Sequence, residues 1–302
     1  MFHEEIEISD KKYMIKANIK IPVNKNSKVG IILAHGGIIN RQSLIRKKYS
    51  FGEYLCDELG AYVIAPDFQG ETIHKHGTSY SNFSEILNIS TRYLVENYNL
   101  ENVMGFGHSL GCFVIADALK NNEFLGSIVN YGGPIKELEG KRQNSFIGYL
   151  VNYLSSYGYE INIRNLLKHI FDKETCSYLE NVMLKDEEYC YNNYSFLFDS
   201  NILKYVKGIF DEYISLIKEW NKPALLLFGT EDDVTKRTLN YYQDKAIENN
   251  IMFKHIPGAS HVTPCMDSKS QLSKLQPVVS FYRRIHNIKK YSTLFENQYA
   301  RL

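Results

Sequence analysis

The 302-residue sequence lacks any apolar run of the roughly 20 residues that a membrane-spanning helix requires; even residues 146–159 are interrupted by Asn152, Ser155 and Ser156. No membrane span is expected. The first residues, Met1-Phe2-His3-Glu4-Glu5-Ile6-Glu7-Ile8, are acidic and alternating, without the basic and then apolar order of an export signal. A cytoplasmic protein is therefore expected. Cysteine is sparse: Cys56, Cys112, Cys176, Cys190 and Cys265 are odd in number and contain no C-x-x-C pair. That argues against a disulfide framework or a cysteine zinc site and suits reduced thiols. Cys112 is expected to have a packing role. Excess charge is also missing. With 35 Lys and Arg against 34 Asp and Glu, a formal net charge of +1 gives no overall attraction to nucleic acid. The H-x-H pair His74 and His76 has no third ligand at suitable spacing. Neither a metal nor a cofactor is expected, and internal repeats and low-complexity segments are absent.

What is present is globular: 44% of residues are hydrophobic and 23% charged, in a chain long enough for one large α/β domain with an insertion. Glu5 to Ile8 and Tyr13 to Ile21 alternate around Ser9-Asp10-Lys11-Lys12, which predicts an antiparallel hairpin at a sheet edge. Short apolar runs then alternate with helical patterns. Strands are expected at Val29–Ala34, Tyr62–Ala65, Val103–Phe106 and Ser127–Tyr131, with helices near Tyr49–Leu59 and Phe83–Tyr98 and after residue 109. Such alternation predicts a mostly parallel sheet with helices on both faces. Strand patterns resume at Ala224–Phe228 and Met252–Ile256. Before they resume, residues 136–220 carry helical spacing only, with tyrosines at Tyr149, Tyr153, Tyr157 and Tyr159. The expected organisation is a core of residues 1–135 and 221–302, with 136–220 inserted as a helical lid after the sixth strand; a separate second domain is the alternative.

The most specific stretch is Gly107-His108-Ser109-Leu110-Gly111, between Val103-Met104-Gly105-Phe106 and Cys112-Phe113-Val114-Ile115. It reads as strand, tight turn and helix, the context in which G-x-S-x-G carries a serine at a strained elbow. By itself it is equally a glycine-rich turn. Position and order add weight. Val29–Ala34 ends in His35-Gly36-Gly37, Ala224–Phe228 ends in Gly229-Thr230-Glu231-Asp232-Asp233, and Met252–Ile256 leads to Pro257-Gly258-Ala259-Ser260-His261. In a parallel sheet the carboxyl ends of the strands share one rim, where ligands bind. A hydroxyl needs a base within hydrogen-bond reach, and His261 is the candidate; Asp232 or its neighbour Asp233 could orient the imidazole.

Through its L-x-H-G-G, P-D-x-x-G, G-H-S-L-G, G-T-E-D and G-A-S-H segments, the chain resembles the α/β-hydrolase superfamily, particularly lidded serine esterases, lipases and thioesterases. The resemblance covers residues 29–135 and 221–285. It implies the α/β-hydrolase fold and a Ser109, Asp232, His261 triad, because the G-x-x-D spacing lands on Asp232. It also implies an oxyanion hole formed by the backbone N–H groups of Gly37 and Leu110. His35-Gly36-Gly37-Ile38 departs from the H-G-G-G of one large esterase class, and Asp67-Phe68-Gln69-Gly70 keeps only part of the usual turn after its strand. His35 is expected to brace the oxyanion loop, and His108 to be a structural hydrogen-bonding residue. Lys141, Arg142 and Arg164 of the insertion are candidate anion ligands or solvated charges. The implied activity is serine hydrolysis of a small acyl ester or thioester through an acyl-enzyme. Two other readings stay open: transfer of that acyl group to an alcohol, amine or carrier-bound acceptor by an acyltransferase or cyclase, and ligand binding without catalysis on the same scaffold.

Overall fold

A computed structural model describes residues 1–36, 40–46, 49–68, 83–133, 209, 212–232 and 250–287, together with the backbone of 73–74. Nine strands form one sheet. These are β1 (Phe2–Ser9), β2 (Tyr13–Ile21), β3 (Val29–Ala34), β4 (Tyr62–Pro66), β5 (Ile73–His74), β6 (Asn102–His108), β7 (Leu125–Tyr131), β8 (Ala224–Gly229) and β9 (Ile251–Ile256). Their order is β1-β2-β4-β3-β6-β7-β8-β9, with β5 beside β2. The β1–β2 hairpin is antiparallel and joins β4 antiparallel, whereas every neighbour from β4 to β9 is parallel.

Side-chain alternation explains why this sheet is covered on both faces. Ile32, Ala34, Tyr62, Ile64 and Val103 enter one core cluster, while Ile31, Leu33, Val63, Ala65 and Met104 enter the other. A strand whose two faces are both buried has no polar face, and so reads as a continuous apolar run. Three helices follow the pattern: α1 (Phe51–Leu59), α2 (Phe83–Tyr98) and α3 (Leu110–Ala118). Ser50 caps α1 by accepting from the backbone N–H of Glu53, and Gly60 ends it in the left-handed conformation. In α3 nearly every residue is buried, among them Cys112, Phe113, Val114 and Ile115. A helix apolar all round has to be enclosed, and α3 packs against β6, β3 and β7 and against α2. The opposite face is covered by α1 and the helix Gln276–His286, whose Tyr282 donates to the Gly105 carbonyl at 2.6 Å.

The sequence pattern does not signal β5, a two-residue strand held by Tyr13 and Met14 of β2. The strand counted sixth above is consequently β7, the seventh in the chain. Of the expected insertion, residues 136–208 and 210–211 lie outside the described residues, Lys141, Arg142 and Arg164 included. Residues 212–220 are helical, and their Tyr213 and Ile217 are buried in the core cluster that contains α3.

Candidate active site

Ser109 sits between β6 and α3 with φ 53° and ψ −117°. Four described non-glycine residues have positive φ, and the other three are Asn99, Asn221 and Asn287, the residue type that tolerates this region. Ser109 has no such excuse, and a sparsely populated conformation of this kind costs about 1–3 kcal/mol unless its surroundings impose it. They do. A Cβ on Gly107 would lie 2.7 Å from the Cys112 Cα and from the Gly111 carbonyl oxygen, so only glycine lets strand and helix fold back so tightly. A Cβ on Gly111 would strike the carbonyl of Ala34 and come within 2.8 Å of that of His35. The first turn of α3 therefore lies directly against the end of β3. Ser109 N–H donates to Tyr131 O at 3.0 Å, which fixes the elbow to the end of β7.

The other two expected residues meet each other. Asp232 follows β8 and is wholly buried; its Oδ2 lies 3.0 Å from Nδ1 of His261, itself 3% exposed. Because a carboxylate only accepts, Nδ1 carries the hydrogen and Nε2 is left as the basic nitrogen. Gly132 connects this pair with the elbow. It directly follows Tyr131, has φ 67°, and a Cβ there would stand 3.0 Å from His261 Nδ1 and 3.2 Å from Asp232 Oδ2. The loops after β6, β7, β8 and β9 thus converge on one rim of the sheet.

Leu110 heads α3, where the first N–H groups have no intrahelical carbonyl to meet and the helix dipole favours a negative charge. Gly37, the expected second donor, lies outside the described residues, as does Asp233. On either side of Gly37, His35 and Arg41 have partners. His35 Nδ1 lies 2.8 Å from Gly36 O, and its Nε2 is 3.4 Å from Asp67 Oδ1. Asp67 Oδ2 in turn accepts from Arg41 Nη1 at 2.8 Å, and Arg41 Nε donates to Asn18 Oδ1 at 3.0 Å. All four side chains are nearly inaccessible. Arg41 is therefore tied to the buried carboxylate of Asp67, beside which the His35 ring lies, its Nε2 accepting from the Phe68 N–H at 3.5 Å.

His108 is buried. Its Nε2 lies 2.8 Å from the carbonyl oxygen of His261, and burial pushes its pKa down to about 3, helped by the adjacent His261. Cys112 is also buried; its Sγ points at the Gly107 and Tyr131 carbonyls, and burial pushes its thiol well up. Both residues have the structural roles expected from the sequence. His76 lies outside the described residues, and for His74 only the backbone is described. Sequence reasoning placed Asp67 only in the P-D-x-x-G segment, and missed Tyr131, Gly132 and Arg41. For Gly132 a signal existed, since a glycine just beyond an apolar strand marks close approach of another group. For the others there was none.

No family model matches the sequence, and no curated protein does. Solved structures do match in shape. A candidate lipase from Acinetobacter baumannii superposes with a TM-score of 0.62 at 18% identity, over 95% of this chain and 93% of that one. A carboxyl esterase from Bacillus coagulans gives 0.60 at 16% identity, over 94% and 99%. The 2-hydroxy-6-oxo-6-phenylhexa-2,4-dienoate hydrolase of a Rhodococcus strain gives 0.59 at 15%, over 95% and 100%. This chain has the α/β-hydrolase fold.

Proposed function

We propose that the protein is a serine hydrolase that cleaves a small carboxylic ester or thioester through an acyl-enzyme. The observation that carries this reading is the strained Ser109, fixed by its backbone to the strand end whose next residue, Gly132, abuts a buried Asp232–His261 pair. Strain at a single serine has a use when the hydroxyl must be presented at the head of a helix. Resemblance in shape to esterases and to a hydrolase is consistent with it.

In this reading Ser109 Oγ attacks the substrate carbonyl carbon while His261 Nε2 takes the hydroxyl proton. Asp232 holds the ring in the Nδ1–H tautomer and stabilises the imidazolium that forms. The tetrahedral intermediate places a negative oxygen beside the N–H groups of Leu110 and Gly37, donors that each contribute typically 100- to 1,000-fold in turnover. Collapse passes the proton from His261 to the leaving alcohol or thiol. Water, deprotonated by His261, then attacks the acyl-serine and releases the acid. No metal or cofactor is required. Residues 136–220 would form the lid over the elbow and shape the acyl pocket. A cytoplasmic location accords with the buried thiols of Cys56 and Cys112, which form no disulfide.

The test is hydrolysis of p-nitrophenyl esters and acyl thioesters of increasing chain length by the wild type and by Ser109→Ala. Turnover that disappears in a folded Ser109→Ala variant supports the reading. Turnover that survives, or a folded wild type inert toward the whole series, would refute it. The chain-length dependence assigns the pocket, since each buried methylene contributes about 0.8 kcal/mol.

A further inference from the structure

His261 belongs to a loop far from Ser109 in sequence, yet two residues touch both. Tyr131 accepts from Ser109 N–H through its carbonyl at 3.0 Å, and its phenol donates to Ser260 O at 2.7 Å. His108 is bonded covalently to Ser109, and its Nε2 reaches His261 O at 2.8 Å across 153 positions of sequence. Two successive carbonyls of the base loop are thus held by the ends of the two strands that hold the nucleophile.

We propose that His108 and Tyr131 are positioning residues that keep the His261 imidazole in register with Ser109, by donating to the His261 and Ser260 carbonyls. The proposal rests on the reading of Ser109 as nucleophile and His261 as base. Its chemistry is specific. A carbonyl can only accept, so His108 must carry its hydrogen on Nε2, leaving Nδ1 to accept from the Cys265 thiol at 3.8 Å. A charged ring would be harmful here. The His108 and His261 ring centroids are 5.2 Å apart, and a second cation at that distance would oppose formation of the His261 imidazolium. Burial keeps His108 neutral at working pH, so it supplies a donor without a charge.

His261 is consequently fixed at both ends. Asp232 holds its ring through Nδ1, and His108 holds its peptide through the carbonyl. Ser260 is tied further by its N–H to Thr263 Oγ1 at 2.9 Å, and Arg46 Nη2 holds Cys265 O at 3.0 Å. These bonds shape the loop internally or anchor it to the segment before α1, whereas those of His108 and Tyr131 index it to the elbow. Removing either donor leaves a buried carbonyl short of a partner. The loop then relaxes, and a displacement of about 1 Å at a reacting group can cost about 100-fold.

The experiment compares wild type, His108→Phe, His108→Gln and Tyr131→Phe with p-nitrophenyl butyrate as substrate, alongside thermal unfolding. A glutamine amide nitrogen can occupy the place of a histidine Nε2 and donate to the same carbonyl. The expected result is that His108→Phe and Tyr131→Phe lower kcat by about 10- to 100-fold with KM within about threefold, and that His108→Gln recovers most of the loss. A merely structural role would not follow the presence of a donor. The proposal is overturned if the folded phenylalanine variants keep wild-type kcat, if His108→Gln falls as far as His108→Phe, or if KM alone changes. Should His108→Phe fail to fold, Tyr131→Phe, which loses only an O–H, decides. Failure of the underlying reading looks different: the wild type itself would neither turn over the ester nor react at Ser109.

Discussion

Oδ2 of Asp232, a residue with no accessible surface, lies 3.0 Å from Nδ1 of His261. The first prediction concerns this pair. Asp232→Asn substitutes an amide that can donate to Nδ1 and so favour the tautomer with its hydrogen on Nε2, where no base is then available. Turnover should drop by about 10,000-fold, as for the analogous change in a serine protease triad. Asp233→Asn should change it less than about threefold, on the same reading of the roles. Ester kinetics on both variants decide between the adjacent carboxylates, and a collapse confined to Asp233→Asn would reverse the assignment.

Gly132→Ala should damage activity more than stability. The left-handed backbone at φ 67° makes the added methyl cost about 1–2 kcal/mol. That methyl would also stand 3.0 Å from His261 Nδ1 and 3.2 Å from Asp232 Oδ2, closer than comfortable contact. One of the two must shift by a few tenths of an ångström. The expected outcome is a folded protein with a modest loss in Tm and a kcat reduced at least about tenfold, given the sensitivity of catalysis to placement. Wild-type kcat would show that Gly132 does not bear on the pair.

Acid should destabilise the protein partly through His108. Its pKa is pushed from 6.5 in the ordinary range to about 3 by burial, so between those values the unfolded chain binds a proton that the folded chain does not. Stability from this group is complete above pH 6.5 and is lost as pH falls toward 3, at a slope approaching about 1.4 kcal/mol per unit. His255 and His286 are lowered by burial as well, so the comparison must be with His108→Gln. Urea unfolding at pH 7, 6, 5 and 4 should show the wild type losing stability more steeply than the variant. Parallel curves would contradict a neutral, buried His108.

These residues also show what a sequence can and cannot disclose about this site. Gly107 and Gly111 were legible because their steric role is local: they stand two residues either side of Ser109 in a strand-to-helix turn. The order of Ser109, Asp232 and His261 was legible because each follows an apolar run, and the ends of parallel strands must share a rim. Tyr131 was counted only as the end of a strand, since its phenol meets Ser260 across 129 positions and nothing near it in sequence reports that contact. The buried Arg41, Asp67 and His35 cluster was hidden for the same reason. In sequence His35 is expected to brace the oxyanion loop and Asp67 belongs to the P-D-x-x-G segment, but only tertiary packing brings the two together with Arg41. Strand β5 escaped because two residues cannot express a period.

The central claim is that Ser109 is an activated nucleophile, and covalent labelling tests it without knowledge of the natural substrate. The folded wild type is treated with a fluorophosphonate, its intact mass is measured, and the modified peptide is sequenced by mass spectrometry. The account predicts a single adduct on Ser109, absent from Ser109→Ala and slowed in Asp232→Asn. A folded wild type that takes up no label, or a label that persists in Ser109→Ala, would contradict it.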